Sequence, residues 1–202
     1  MKNVILFFGS FNPIHRAHLS IAEYVLDKGF GDEVWFIVSP QNPFKQIEDL
    51  APKNDRMRMV EIAIEKSIFH NKMKVSDIEF NMPKPSYTID TLSRLWSLYP
   101  DCKFSILMGS DNLLNLGKWK DYQDILKNCR VFVYERKGYP HSDKLLHLGD
   151  IFIIDNPPLY DISSTEFRNL LKKGDDIKDF LPEGVYEYIK QKNIYATSND
   201  DR

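Results

Sequence analysis

VILFFGSFNPIHRAH, residues 4–18, sets a run of five apolar residues against a turn of Gly, Ser, Asn and Pro, then places two histidines three residues apart. A short uninterrupted apolar run reads as a strand buried on both faces. Gly9 and Ser10 break that run, and a helical pattern starts beyond Pro13. Similar runs recur at residues 34–38, 104–108, 131–134 and 151–154. Between them, residues 17–28, 55–67 and 88–99 have apolar positions at three- and four-residue steps, which predicts amphipathic helices. Two more helices are expected at residues 165–173, stopped by Gly174, and 183–192, opened by Pro182.

Strands that alternate with helices build right-handed βαβ units and a parallel sheet. The expected fold class is therefore α/β: a single Rossmann-like, doubly wound parallel sheet with helices on both faces and a C-terminal helical segment. The 202 residues, 43% of them apolar, suit one domain over residues 1–196, with a frayed tail at 197–202. The segment 39–53 is irregular and rich in Pro, Gln and Asn, a length of loop that in a compact domain is usually functional or mobile.

Charge excludes some partners. With 27 basic against 29 acidic residues, the net charge of −2 supplies no excess to hold a nucleic-acid backbone, so no nucleic-acid partner is expected. No apolar run approaches the length that spans a bilayer or forms a signal-peptide core, so no membrane partner is expected either. Cys102 and Cys129 form neither a CxxC pair nor a secreted framework; they read as core residues in a reduced, cytoplasmic compartment. A homo-oligomer is compatible with the sequence, which does not fix the oligomeric state.

The first strand-to-helix turn is a preferred place for phosphate in an open α/β sheet. Gly9 can take a positive φ and lets a ligand approach the backbone, and the following helix offers unpaired N–H groups and the positive end of its dipole. His15 and His18, spaced i, i+3, share one face of a helical turn, and both imidazoles can donate to phosphate oxygens. A merely structural turn is the equal alternative on these residues. Half of a metal site is the weaker one, because no further ligand follows at HExxH spacing.

DISSTEFRNLLKKG, residues 161–174, is a second candidate anion site. Ser163, Ser164 and Thr165 stack three hydroxyls at a helix start, and Arg168 lies one turn inside with a planar fork. Ser163 with Glu166 also reads as a plain capping box, so a cap alone is the alternative.

Together these stretches resemble the nucleotidylyltransferase superfamily. FGSFNPIHRAH is similar to its GxFxPxHxxH signature at Gly9, Phe11, Pro13, His15 and His18, and Ile162, Ser163, Ser164, Thr165 and Arg168 are similar to its ISSTxxR signature. Phe8 stands where many members have a second Gly, Asn12 where Asp is common, and Ala17 where Gly usually precedes the second His. The resemblance covers nearly the whole chain and is strongest to the nicotinate mononucleotide adenylyltransferase family. PQNPFK (40–45), KPSYTIDTL (84–92), MGSDNLLNLGKWKDY (108–122) and ERKGYP (135–140) carry it further.

That resemblance implies transfer of the adenylyl group of ATP to nicotinate mononucleotide, giving nicotinate adenine dinucleotide and pyrophosphate in NAD biosynthesis. It implies His15, His18 and Arg168 as catalytic residues and Gly9, Ser10, Phe11, Lys45, Ser163 and Ser164 as ATP and phosphate contacts. For the mononucleotide it implies Thr88 at the nicotinate end, Gly109 and Asp111 at the ribose, Trp119 stacked on the pyridine ring and Arg136 near the nucleotide. Read by themselves, Lys45 is also a solvated cation, Thr88 an N-cap and Trp119 a core aromatic. The attacking 5′-phosphate is already mostly dianionic at neutral pH, so no general base and no covalent enzyme intermediate are expected. Mg2+ is expected as a cofactor bridging ATP oxygens, with no dedicated protein ligands. The alternatives are a pantetheine-phosphate adenylyltransferase, a cytidylyltransferase, or a module that binds nucleotide without turning it over.

Overall fold

The computed structural model describes residues 1–40, 50–140, 143–158, 164–173, 175 and 177–195, without the side chains of 143, 144, 171 and 172. Lys45, Ser163, the stop at Gly174 and the tail at 197–202 lie outside the described residues, as does most of the irregular segment 39–53. In chain order the elements are β1 (Lys2–Gly9), α1 (Arg16–Asp27), β2 (Glu33–Val38), α2 (Lys53–Glu65), β3 (Met73–Ser76), α3 (Thr88–Leu98) and β4 (Cys102–Gly109). There follow α4 (Ser110–Leu113), α5 (Tyr122–Asn128), β5 (Arg130–Tyr134), α6 (Asp143–Leu146), β6 (Ile151–Ile153), α7 (Ser164–Lys173) and α8 (Val185–Gln191).

The six strands form one parallel sheet in the order β3-β2-β1-β4-β5-β6. β1 is an inner strand with residues 4–7 fully buried, and its register sets Phe7 beside Phe36 of β2 and Leu107 of β4. Strand alternation splits its side chains between two cores. Ile5 and Phe7 join the layer containing Met59 of α2, Phe167 of α7 and Val185 of α8. Val4 and Leu6 join the opposite layer with Leu92 of α3 and Ile125 of α5. Helices thus cover both faces, as a doubly wound sheet requires.

One strand departs from the sequence reading. β3, Met-Lys-Val-Ser, buries Met73 and exposes Lys74, because it is an edge strand with a neighbour on one side only. A continuous apolar run could not reveal it. Cys129 is buried as expected, but Cys102 opens β4 half-buried, which corrects its reading as a core residue. The short helices α4, α5 and α6 also had no predicted counterpart.

At the amino end of the sheet Glu33 is buried on β2, accepting from Lys2 Nζ at 2.7 Å and Trp35 Nε1 at 2.8 Å, with Lys74 Nζ at 3.1 Å. Burial raises the pKa of this carboxyl, but hydrogen bonds from Lys2, Trp35 and Lys74 outweigh it and hold the group at about 2. A carboxyl depressed in the folded state stabilises above its unfolded pKa, and that stability disappears as pH falls through the folded value. Glu33→Gln is therefore expected to lose about 2–3 kcal/mol at pH 7. The difference from the parent chain should vanish between about pH 4.5 and pH 2, as urea titrations at several pH values would read.

Candidate active site

Chains of this topology reverse direction at the switch point between β1 and β4, and ligands collect outside the carboxyl ends of those strands. A cleft of about 280 Å³ opens there. Its walls come from the turn after β1, the start of α3, the β4–α4 corner, the segment after β5 and the N-terminus of α7.

Gly9 ends β1, with Ser10 and Phe11 next. The positive φ belongs to Phe11, at 44°, and not to Gly9, which corrects the reading of that glycine. Gly9 is demanded by close approach: a Cβ there would lie 2.8 Å from Cζ of the Phe11 ring. That ring is 1% exposed, edge-on to Phe7, Phe36 and His18, so it has no room to retreat. Asn12 fixes the turn from three sides. Its Oδ1 accepts from the Ala51 amide at 3.0 Å and the Tyr195 hydroxyl at 2.7 Å, and its carbonyl accepts from Arg168 Nη1 at 2.9 Å.

His15 is the N-cap of α1 and His18 lies in its first turn. Their rings stack at 3.7 Å with 26° between planes, and the His15 amide donates to His18 Nδ1 at 3.3 Å. Both rings line the cleft, as do Gly9, Ser10 and Phe11. Burial, and then the charge of Arg136, push the His15 pKa down to about 3. His15 is thus neutral near pH 7, and a bound polyanion would raise its pKa again. An NMR titration of its imidazole without ligand is expected to show the neutral form from pH 8 down to about pH 5; a protonation midpoint near 6.5 would contradict the burial.

The second motif converges on the same turn. Ser164, the first residue of α7, lines the cleft with Thr165 and donates from Oγ to the Pro13 carbonyl at 3.3 Å. Arg168 Nη1 donates to Asn12 and Ser164 carbonyls at 2.9 and 3.0 Å, and Nη2 lies 3.4 Å from Thr165 Oγ1. Its Nε is buried without a hydrogen-bond partner among the described residues. The guanidinium thus stands behind the cleft wall, joining the two motifs, and it does not itself line the cleft.

Thr88, Gly109, Asp111, Trp119 and Arg136 share this cleft. Thr88 opens α3, and Gly109 is the N-cap of α4. Arg136 Nη1 donates to Asp111 Oδ2 at 3.0 Å, and the Arg136 amide donates to Ser110 Oγ at 2.9 Å. Asp111 Oδ1 is buried with no hydrogen-bond partner among the described residues, an acceptor still to be satisfied. Trp119 is half-buried, lining the cleft while packing on the core.

Sequence reasoning missed other lining groups. Glu79 is 2% exposed and accepts from Ser86 Oγ at 2.7 Å and Thr91 Oγ1 at 2.9 Å, tying down the loop that enters α3. Lys120 reaches Asp90 at 2.8 Å. Neither had a marker, because a lone Glu or Lys between elements reads as a solvated charge. Among the described residues no cluster of three or more His, Cys, Asp or Glu side chains could hold a metal ion, and no helix is long and apolar enough to cross a membrane.

Comparison with known proteins gives this architecture its class: residues 6–170 match the cytidylyltransferase-like family model, so the chain is a nucleotidyltransferase by descent. A Flavobacterium johnsoniae protein named "Probable nicotinate-nucleotide adenylyltransferase" is 42% identical over 191 residues, covering 94% of this chain and 97% of that one. A Bacteroides fragilis protein of the same name is 42% identical over 186 residues, 92% and 90% of the two chains. The solved structure of Plasmodium falciparum nicotinic acid mononucleotide adenylyltransferase complexed with NaAD superposes with a TM-score of 0.85 at 25% identity, over 96% of this chain and 98% of that one. The chain belongs to the nicotinate-nucleotide adenylyltransferase family.

Proposed function

We propose that this chain transfers the adenylyl group of ATP to nicotinate mononucleotide, releasing pyrophosphate and forming nicotinate adenine dinucleotide, a step of NAD biosynthesis. The observation that carries the reading is the meeting of His15, His18 and the N-terminus of α7 at one cleft that Thr88, Asp111 and Trp119 also line. Relatives named for this reaction, and a related structure complexed with NaAD, support it.

The 5′-phosphate of the mononucleotide attacks the α-phosphate of ATP in line; the new P–O bond forms as the bond to the bridging oxygen of pyrophosphate breaks. The attacking phosphate is mostly dianionic at pH 7 and needs no base. The protein's task is to hold two anions together and meet the charge that develops on the leaving group. His15 and His18 serve the α- and β-phosphates, Ser163 and Ser164 the β- and γ-phosphates, with Arg168 acting on the same phosphates from behind the wall through the Asn12 and Ser164 carbonyls it holds, and Lys45 gives an ancillary contact. Gly9, Ser10 and Phe11 shape the phosphate turn. Thr88 meets the nicotinate carboxylate, Gly109 and Asp111 the ribose, Trp119 the pyridine face and Arg136 the nucleotide phosphate side.

Mg2+ supplies charge neutralisation on the triphosphate when bound. The two carboxylates of the cleft are engaged, Glu79 by the Ser86 and Thr91 hydroxyls and Asp111 by Arg136, and no metal-binding cluster occurs among the described residues, which fits an ion carried in by ATP oxygens and water. We further propose one domain over residues 1–196 and a cytoplasmic location, which thiols in no disulfide fit.

A pyrophosphate-release assay tests the function. Nicotinate mononucleotide, nicotinamide mononucleotide, phosphopantetheine and glycerol 3-phosphate are each offered with ATP and with CTP. The expected result is fastest release with nicotinate mononucleotide and ATP. Faster release with another pair, or none with any pair, would overturn it.

A further inference from the structure

Among the described residues the largest fully buried side chain is Arg56, on the first turn of α2 and 1% exposed. Its guanidinium donates from Nε to the Ala51 carbonyl at 3.0 Å and from Nη1 to the carbonyls of Ser10 at 2.6 Å and Ser39 at 2.8 Å. Nη2 reaches the Pro40 carbonyl at 3.4 Å. All four acceptors are neutral, and no carboxylate among the described residues pairs with it. A buried cation normally has an acid beside it, since hydrogen bonds satisfy donors without cancelling charge. Burial accordingly lowers the pKa of Arg56 to about 10, which still leaves it charged at pH 7.

The acceptors explain part of the arrangement. Ser39 and Ala51 each precede a proline, so their peptide units have no N–H, and this stretch of backbone is short of donors. Arg56 supplies them. Ser10 and Ser39 both line the cleft, which puts the guanidinium one peptide unit behind the phosphate turn. In a planar trans peptide the N–H points opposite to the C=O, so holding the Ser10 carbonyl inward turns the Phe11 N–H away from Arg56. A buried charge with no acid beside it among the described residues, one layer behind a turn suited to anions, gains from an anion bound at that turn.

We propose that Arg56 is a positioning residue whose buried guanidinium, paired with no carboxylate among the described residues, draws a polyphosphate into the cleft, the bound anion serving as its counter-charge. The proposal rests on the nucleotide-binding reading of the cleft. It assigns Arg56 two actions: fixing the Ser10 and Ser39 carbonyls, and providing a field that grows in effect with the charge of the ligand.

The test separates charge from architecture. Dissociation constants for adenosine, AMP, ADP and ATP are measured by titration on the parent chain, Arg56→Gln and Arg56→Lys, with thermal melts as a check of folding. Gln keeps a donor and removes the charge; Lys keeps the charge and removes the fork. Arg56→Gln is expected to weaken ATP binding by about tenfold or more while adenosine changes less than about threefold, the loss widening with each phosphate. Arg56→Lys should keep that widening within about threefold of the parent. An equal loss for all four ligands in Arg56→Gln would show a purely architectural role and overturn the proposal. If Arg56→Gln does not fold, Arg56→Lys decides, because a folded lysine variant that has lost the dependence on phosphate number overturns it too. Absence of ATP binding by the parent chain would instead refute the nucleotide reading itself.

Discussion

His18→Ala is expected to lower kcat for adenylyl transfer by about 100- to 1000-fold while the KM for ATP moves less than about tenfold. The asymmetry follows from where the ring stands. His18 lies in the first turn of α1, stacked at 3.7 Å on His15 and lining the cleft, so it can donate to a phosphate oxygen as charge builds there. On the proposed reading ATP retains other contacts in the ground state, including the α7 terminus and the turn backbone. Removing one donor aimed at the developing charge therefore appears mainly in kcat. The fold should tolerate the change, since His18 is only half-buried, whereas His15 is 4% exposed and its loss would also leave a gap. Steady-state kinetics with a thermal melt on the same sample is the measurement. Full turnover by a folded His18→Ala chain would remove the imidazole pair from the mechanism.

Gly109→Ala is expected to raise the KM for nicotinate mononucleotide by about tenfold or more, with the KM for ATP nearly unchanged. Gly109 has φ −78° and ψ 157°, a conformation that alanine adopts without strain. The added methyl group, however, would lie 2.5 Å from Asp111 Oδ1 and 2.7 Å from Arg136 Cδ. Both are side-chain atoms, so the chain can still fold, but the Asp111–Arg136 pair must shift. These are the two groups proposed to hold the ribose and the nucleotide phosphate side of the acceptor. A shift of about 1 Å in a positioning pair is enough for a large kinetic loss. The melting temperature should fall by only a few degrees, and unaltered kinetics for both substrates would show that the pair does not touch the acceptor.

The two effects differ in kind, one in kcat and one in the KM for the acceptor, and the residues concerned follow β1 and end β4 on either side of the switch point. The sheet was legible early: its four inner strands, β2, β1, β4 and β5, are apolar runs because both of their faces are covered. β3 escaped notice because an edge strand can afford Lys74 and Ser76. Spacing alone left His15 and His18 ambiguous between a cap and a phosphate contact, and the structure shows why, since His15 is both the N-cap of α1 and a wall of the cleft. Arg56 was invisible for a different reason. In the pattern Lys-Asn-Asp-Arg-Met-Arg-Met it looks like one more solvated cation, and only the fold reveals that its neighbours are carbonyls in need of donors. The same holds for Glu79, whose two hydroxyl partners come from residues 7 and 12 positions away.

The hydrogen bond from Tyr195 to Asn12 ties nearly the far end of the polypeptide to the first turn, across 183 positions. During synthesis the amino-terminal strands emerge from the ribosome long before Tyr195 or α7 exists. A nascent chain can thus begin to assemble its sheet while Asn12 still lacks two of the partners that fix it. Competence to handle nucleotide arrives last, with the final helices, so a stalled or prematurely released fragment would be folded in part and inert.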